Sequence, residues 1–212
     1  MTPAASRRAL REDHLGASTF VEKGWHMIAI GDFAGAESVL LHALNLAPSD
    51  VRGRALLSWA QMRQGMLDDA ERVLVGLLAE NTLHAMARVN LGYVCMKKGE
   101  LARATELLVP SSRQSGDPKA ALYATFYRGL LHSVQGDFAE AEYCFRKTLL
   151  LAPNFIEGYY ELGRAEMSAL KFDEARLTWK TGHTANRFNV WGKRCADAIR
   201  ILDRGAIAPS FS

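Results

Sequence analysis

Catalysis needs polar side chains that converge, and the reactive residue types in this chain follow no spacing that would bring them together. The histidines, His14, His26, His42, His84, His132 and His183, are scattered, with no HExxH or other short ligand pattern. Neither a phosphate-binding glycine loop nor GxGxxG nor a Gly-x-Ser-x-Gly turn is present. Cys95, Cys144 and Cys195 are odd in number, widely spaced and without CxxC, which argues against a disulfide framework and a zinc site. Thiols at helical positions that pack are ordinarily inert. The acidic pairs Asp68-Asp69 and Asp173-Glu174 fall where helices begin, and there negative charge offsets the helix dipole. We therefore read the chain as non-catalytic, without cofactor or metal. The chemistry it does repeat is apolar and aromatic: Trp25, Trp59 and Tyr93 stand one interval apart, and an aromatic row can bind by desolvation.

The interval belongs to a repeated unit. GDFAGAESVLLHALNLAPSD at Gly31–Asp50 returns as GDFAEAEYCFRKTLLLAPNF at Gly136–Phe155, with weaker copies from Gly65, Gly99 and Leu170. Successive starts lie 34, 34, 37 and 34 residues apart. The units run 17–50, 51–84, 85–118, 122–155 and 156–189, each expected to be two antiparallel helices. Gly24, Ser58, Gly92, Gly129 and Gly163 share the eighth position, and Ala36, Ala70, Ala104, Ala141 and Ala175 the twentieth. Large residues stand opposite: Phe33, Leu67, Leu101, Phe138 and Phe172 at the seventeenth, and Leu40, Leu74, Leu108, Phe145 and Trp179 at the twenty-fourth. Small beside large is what dense packing requires. Gly31, Gly65, Gly99 and Gly136 fall where a first helix must turn, which favours a left-handed backbone.

With this period and these positions the segment from about Ala17 to Asn189 resembles the tetratricopeptide-repeat proteins. The fifth unit matches best, through Tyr159, Leu162-Gly163, Phe172, Ala175 and Trp179. Lys23 and Arg128 depart from the family's usual leucine, and the first-helix tryptophan at the fourth position is generally lacking. The resemblance implies an all-α fold, a right-handed α-solenoid of about five helix pairs plus a C-terminal capping helix.

The remaining boundaries are read locally. Thr2-Pro3 and Gly16 suggest a short leading helix over Ala4–Leu15, within an N-terminal extension of residues 1–16. Pro110 is expected to end the third unit's second helix near Val109. Asp117-Pro118 reads as cap and first residue of a long helix reaching Gln135, and Asn154 with Glu157 as a capping box. Pro48 and Pro153 stop second helices. Residues 190–204 form an amphipathic cap over the last repeat, and 205–212 a flexible tail.

In the family the outer face of the first helices lines the concave side of the superhelix, and this implies a partner-binding groove. Its candidate residues are Val21, Trp25, Ile28, Arg52, Leu56, Trp59, Met62, Arg63, Met86, Val89, Asn90, Tyr93, Met96 and Lys97, continuing with Tyr123, Phe126, Tyr127, Leu130, Tyr160 and Arg164. Asn90, Arg52, Arg63 and Lys97 are its main polar members. That is too few for the Lys/Asn/Arg clamp with which some family members hold acidic C-termini. Small tetratricopeptide chaperones of bacterial secretion systems, with apolar grooves, are a nearer likeness.

Composition sets the outer limits. At 49% hydrophobic and 23% charged, the chain has the balance of a folded globular protein. Its net charge of +3 implies no strong field for nucleic acid or anionic membrane. Lys171–Arg204 carries eight Lys/Arg against four Asp/Glu without a block of like charge, and is read as a solvated face. No apolar run spans a membrane. Ser6-Arg7-Arg8 is followed by charged residues where an export signal needs apolar ones. The expectation is a cytoplasmic adaptor or assembly chaperone for a protein or peptide partner, with no nucleic acid. The alternative is a permanent subunit of a larger complex, or a homodimer, whose groove is always occupied.

Overall fold

The computed structural model describes residues 3–81, 84–114 and 116–205, with side chains from residue 16 onward except 82–83 and 110–115. The described residues are all helix and connection, and they divide into two compact units, one ending at Glu100 and the other starting at Leu101. The first holds α1 (Pro3–Ile30), α2 (Phe33–Leu46), α3 (Val51–Gln64), α4 (Leu67–Glu80) and α5 (Ala85–Lys97). The second holds α6 (Leu101–Gln114), α7 (Pro118–Gln135), α8 (Phe138–Leu151), α9 (Ile156–Ser168), α10 (Phe172–Ala185) and α11 (Val190–Asp203). In each unit every helix packs on the next. First helices also meet directly, α1 with α3 and α3 with α5 in one unit, α7 with α9 and α9 with α11 in the other.

The repeating small and large residues account for that packing. An added Cβ at Gly24 would stand 2.6 Å from Leu40, at Gly129 2.6 Å from Phe145, and at Gly163 2.3 Å from Trp179. Eighth-position glycine and twenty-fourth-position bulk therefore form one contact, repeated. Leu40, Leu74, Leu108, Phe145 and Trp179 are fully buried, as are the five alanines at the twentieth position. Each large side chain so buried contributes about 1.5–3 kcal/mol. The seventeenth position does less than its pattern suggests: Phe33, Leu67, Leu101 and Phe138 are half-buried and Phe172 is exposed.

Turns follow the glycines. Gly31, Gly65, Gly99 and Gly136 take φ of 86°, 79°, 83° and 80°. At the equivalent place in the fifth unit stands Leu170, with φ of 62°. Aspartates start helices nearby: Asp32 accepts from the Gly35 amide, and Asp117 from those of Lys119 and Ala120 with Pro118 in the first turn. At the far end Asn189 caps α11 by accepting from the Gly192 amide at 2.7 Å.

Three local expectations are corrected. Gly16 does not terminate a leading helix, because α1 runs unbroken from Pro3 into the first repeat. Glycine costs a helix about 1 kcal/mol, which neighbouring turns can absorb. Pro110 does not end α6, which continues to Gln114. Proline deletes one backbone hydrogen bond and leaves the others in place. Asn154 does not cap α9: the cap is Phe155, without a side-chain bond. The Phe155 ring instead packs edge-on against Tyr123 and Phe126, at 5.7 and 4.8 Å between centroids, and this draws the helix start one residue along. Thr2 and the tail beyond residue 205 lie outside the described residues.

Candidate functional site

The residues expected to line a groove sort by helical position. Val21, Val89 and Phe126 at the fifth position and Ile28, Met62 and Met96 at the twelfth are buried, as are Leu56, Asn90 and Tyr127 at the sixth. Among neighbouring first helices these nine serve packing, and they drop out of the accessible face. What stays at the surface is the ninth position and its neighbours. In the first unit Trp25, Trp59, Tyr93 and Met86 are half-buried, while Arg52, Arg63 and Lys97 are exposed. In the second unit Tyr123, Leu130, Tyr160 and Arg164 are half-buried.

The structure brings Trp25 and Trp59 together. Their ring centroids lie 6.5 Å apart at a tilt of 52°, the offset geometry that aromatic pairs prefer. Trp25 also borders the apolar cluster of Val21, Leu40 and Leu57, so core packing holds the ring pair, and both rings are half-buried. Arg52 pairs with Glu22 across α1 and α3 and holds that carboxyl below the usual range.

A second aromatic face stands in the second unit, where Tyr160 packs against Trp191 at 5.5 Å. The Arg164 guanidinium lies 5.8 Å from the Tyr160 ring, and that of Arg194 lies 4.4 Å from Trp191. Arg164 is steadied by the buried Glu161 at 3.2 Å. Sequence reasoning places Trp191 and Arg194 in a capping helix and not on the face. The signal that could have found them is their register: Trp191 lies 34 residues after Glu157 and 68 after Tyr123.

Other polar groups are engaged in the fold. Atoms of Glu71, Cys95 and Glu100 that could ligate a metal fall within 4.8 Å of one another. Lys98 occupies that region, 2.7 Å from Glu71 and 2.6 Å from Asp68. The three cysteines are buried and in no disulfide, and burial pushes the Cys195 thiol up to about 12. Glu166 is fully buried, with Arg146 at 2.5 Å from it, and burial raises its pKa. A hollow of about 360 Å³ between α8, α9 and α10 is lined by Leu149, Leu162, Leu177 and Thr178, with Arg146 at its edge. No helix among the described residues is long and apolar enough to cross a membrane.

Comparisons with known proteins agree with this geometry. Models of the tetratricopeptide repeat match residues 55–108 and 122–155. Among solved structures, the chain is similar to a thermophilic TPR protein of Thermus thermophilus, at 20% identity and TM-score 0.75 over 87% of this chain and 99% of that one. It is also similar to PilF of Pseudomonas aeruginosa, at 19% identity and TM-score 0.65 over 92% and 89% of the two chains. A third likeness is to yeast Tom70, at 13% identity and TM-score 0.66, covering 89% of this chain and 40% of that one. No curated protein sequence matches the chain. At these identities the solved structures establish the fold alone, an all-α solenoid, and it is the matched repeat family that generally serves protein–protein interaction. Repeat frame, glycine turns and matched segments agree: residues 55–108 and 122–155 are tetratricopeptide repeats, set in an all-α repeat fold shared with the solved structures.

Proposed function

We propose that this protein is a non-catalytic cytoplasmic adaptor or assembly chaperone that holds an extended segment or amphipathic helix of a partner protein on the aromatic faces of its first helices. The observation that carries the reading is the Trp25–Trp59 pair, two large half-buried rings set against each other at the ninth position of neighbouring units. Preorganised aromatic anchors are the commonest hot spots of protein interfaces. In the second unit Tyr160, Trp191, Arg164 and Arg194 offer the same chemistry. Three buried thiols outside any disulfide fit a reducing compartment.

Magnitude favours modest affinity. Three anchors at about 1.5–3 kcal/mol each supply roughly 5–9 kcal/mol, against an association cost of about 4–15 kcal/mol. The anchors alone therefore leave at most about 5 kcal/mol net, binding in the sub-millimolar range, and backbone hydrogen bonds to the segment must add to it for anything tighter.

A second reading, a permanent subunit or homodimer, has an observation of its own. Leu150, Leu151 and Leu177 in the second unit are 82%, 61% and 66% exposed, more apolar surface than isolated helices usually leave bare. Affinity capture from the native host with wild type and Trp25→Ala/Trp59→Ala, together with the solution mass of the purified chain, tests both. A well-behaved monomer that loses its captured protein in the double variant supports the adaptor. An obligate dimer, or capture indifferent to the tryptophans, refutes it.

A further inference from the structure

The aromatic row of the first unit has charged residues at both ends, and the two ends differ. At one end Glu22 and Arg52 neutralise each other. At the other, one helical turn past Trp59 and Tyr93, stand Arg63 and Lys97, both exposed and without a carboxylate partner among the described residues. Residues four apart share a helix face, so each cation continues the stripe of its aromatic neighbour. Arg63 rests its guanidinium on the Phe33 ring, 5.3 Å from the centroid, which fixes its position while leaving its charge uncompensated. The adjacent Lys98 makes the contrast plain. It turns toward α4 and is met there by both Asp68 and Glu71. The fold thus supplies carboxylates to the lysine that faces the second helices and none to the one on the aromatic stripe.

Resting on the reading of this face as a partner-binding surface, we infer that the segment it takes is acidic, laying apolar side chains on Trp25, Trp59 and Tyr93 and Asp or Glu side chains on Arg63 and Lys97. Packed helices such as α3 and α5 stand about 8–10 Å apart, a distance an extended chain covers in about three residues. Side chains of an extended segment that share a face are two residues apart, about 7 Å, so acidic residues two apart reach both cations, whose long flexible stems close the remaining gap.

Random-peptide display on the purified full chain tests this, with wild type, Trp59→Ala, Arg63→Glu/Lys97→Glu and the milder Arg63→Gln/Lys97→Gln as separate arms. Wild type should enrich peptides with Asp or Glu two apart beside Leu or Phe. Both charge variants should lose those peptides by about tenfold or more, the Glu pair should enrich basic peptides instead, and Trp59→Ala should lose enrichment of either kind. Because both cations are exposed, circular dichroism of the charge variants should match wild type, and the Gln pair keeps the test decisive if the Glu pair misfolds. If wild type enriches neutral or basic peptides that Trp59→Ala then loses, the face binds but the acidic assignment is overturned. Absence of enrichment, or enrichment indifferent to Trp59, overturns the inference and the reading beneath it together.

Discussion

Leu170 allows the turn chemistry of the repeat to be measured at a single backbone position. Four units place glycine there with φ of 79–86°, and the fifth places leucine at 62°. An L side chain in the left-handed region costs about 1–2 kcal/mol, and glycine, being more flexible when unfolded, gives back about 0.5–1 kcal/mol of that advantage. Leu170 is 73% exposed, so its side chain adds little burial to the balance. Leu170→Gly should therefore stabilise the protein by about 0.5–1 kcal/mol, raising the melting temperature by up to about 2–4 °C for a chain of this size. Gly136→Ala provides the mirror experiment. Its φ is 80° and an added Cβ would meet nothing within 4 Å, so any loss comes from the backbone alone. That variant should lose about 1 kcal/mol. Thermal melts followed by circular dichroism read both. A lower melting temperature for Leu170→Gly, or an unchanged one for Gly136→Ala, would show that the repeat turn is not governed by left-handed strain.

Further predictions concern packing, charge and thiols. Ala141→Leu should cost about 1–3 kcal/mol by overpacking the contact between helices, whereas Ala139→Leu, at an exposed site two residues away, should change the melt little. Glu166 has its folded pKa raised by burial, so the folded state binds its proton more readily than the unfolded one, and its contribution to stability grows as pH falls through the folded value toward the usual carboxylate range. The difference between wild-type and Glu166→Gln melting temperatures should shift in favour of wild type as pH drops from neutral toward that range; a difference independent of pH would refute the assignment. Native protein should leave Cys95, Cys144 and Cys195 unmodified by a water-soluble thiol reagent, with all three reacting in denaturant, since they are buried and burial pushes the Cys144 and Cys195 thiols up.

The fold was legible because its rules are local and repeated. Gly24 against Leu40 and Gly163 against Trp179 are contacts that a 34-residue frame exposes to simple inspection. What the sequence does not disclose depends on tertiary context. Gly16 and Pro110 are helix breakers, costing about 1 and about 3 kcal/mol, that their helices nonetheless run through, and nothing in their immediate neighbours says so. Asn154 loses its capping role to Phe155 because the Phe155 ring is drawn onto Tyr123 and Phe126, partners some thirty residues away. Nine of the residues read as a face from the sequence are buried. Helical periodicity puts Val21, Trp25 and Ile28 on one stripe, but only direct packing of α1 on α3 decides that Val21 and Ile28 are buried while Trp25 is half-buried. Trp191 and Arg194 escape because amphipathicity alone marks α11 as a lid, although it continues the register of the first helices and sets Trp191 against Tyr160.

The claim on which the functional account stands is that the first-helix aromatics form a surface and not a core. Thermal melts of Trp25→Ala, Trp59→Ala and Trp179→Ala test it most directly. Trp179 is 1% exposed and donates its Nε1 hydrogen to the Tyr160 carbonyl at 3.0 Å, so its truncation should cost about 3–5 kcal/mol. Trp25 and Trp59 are half-buried, so each truncation loses only part of the burial energy and should cost about 1–2 kcal/mol. The account predicts two variants melting close to wild type and one melting far below it; all three melting equally early would place the aromatic row in the core and contradict the binding face.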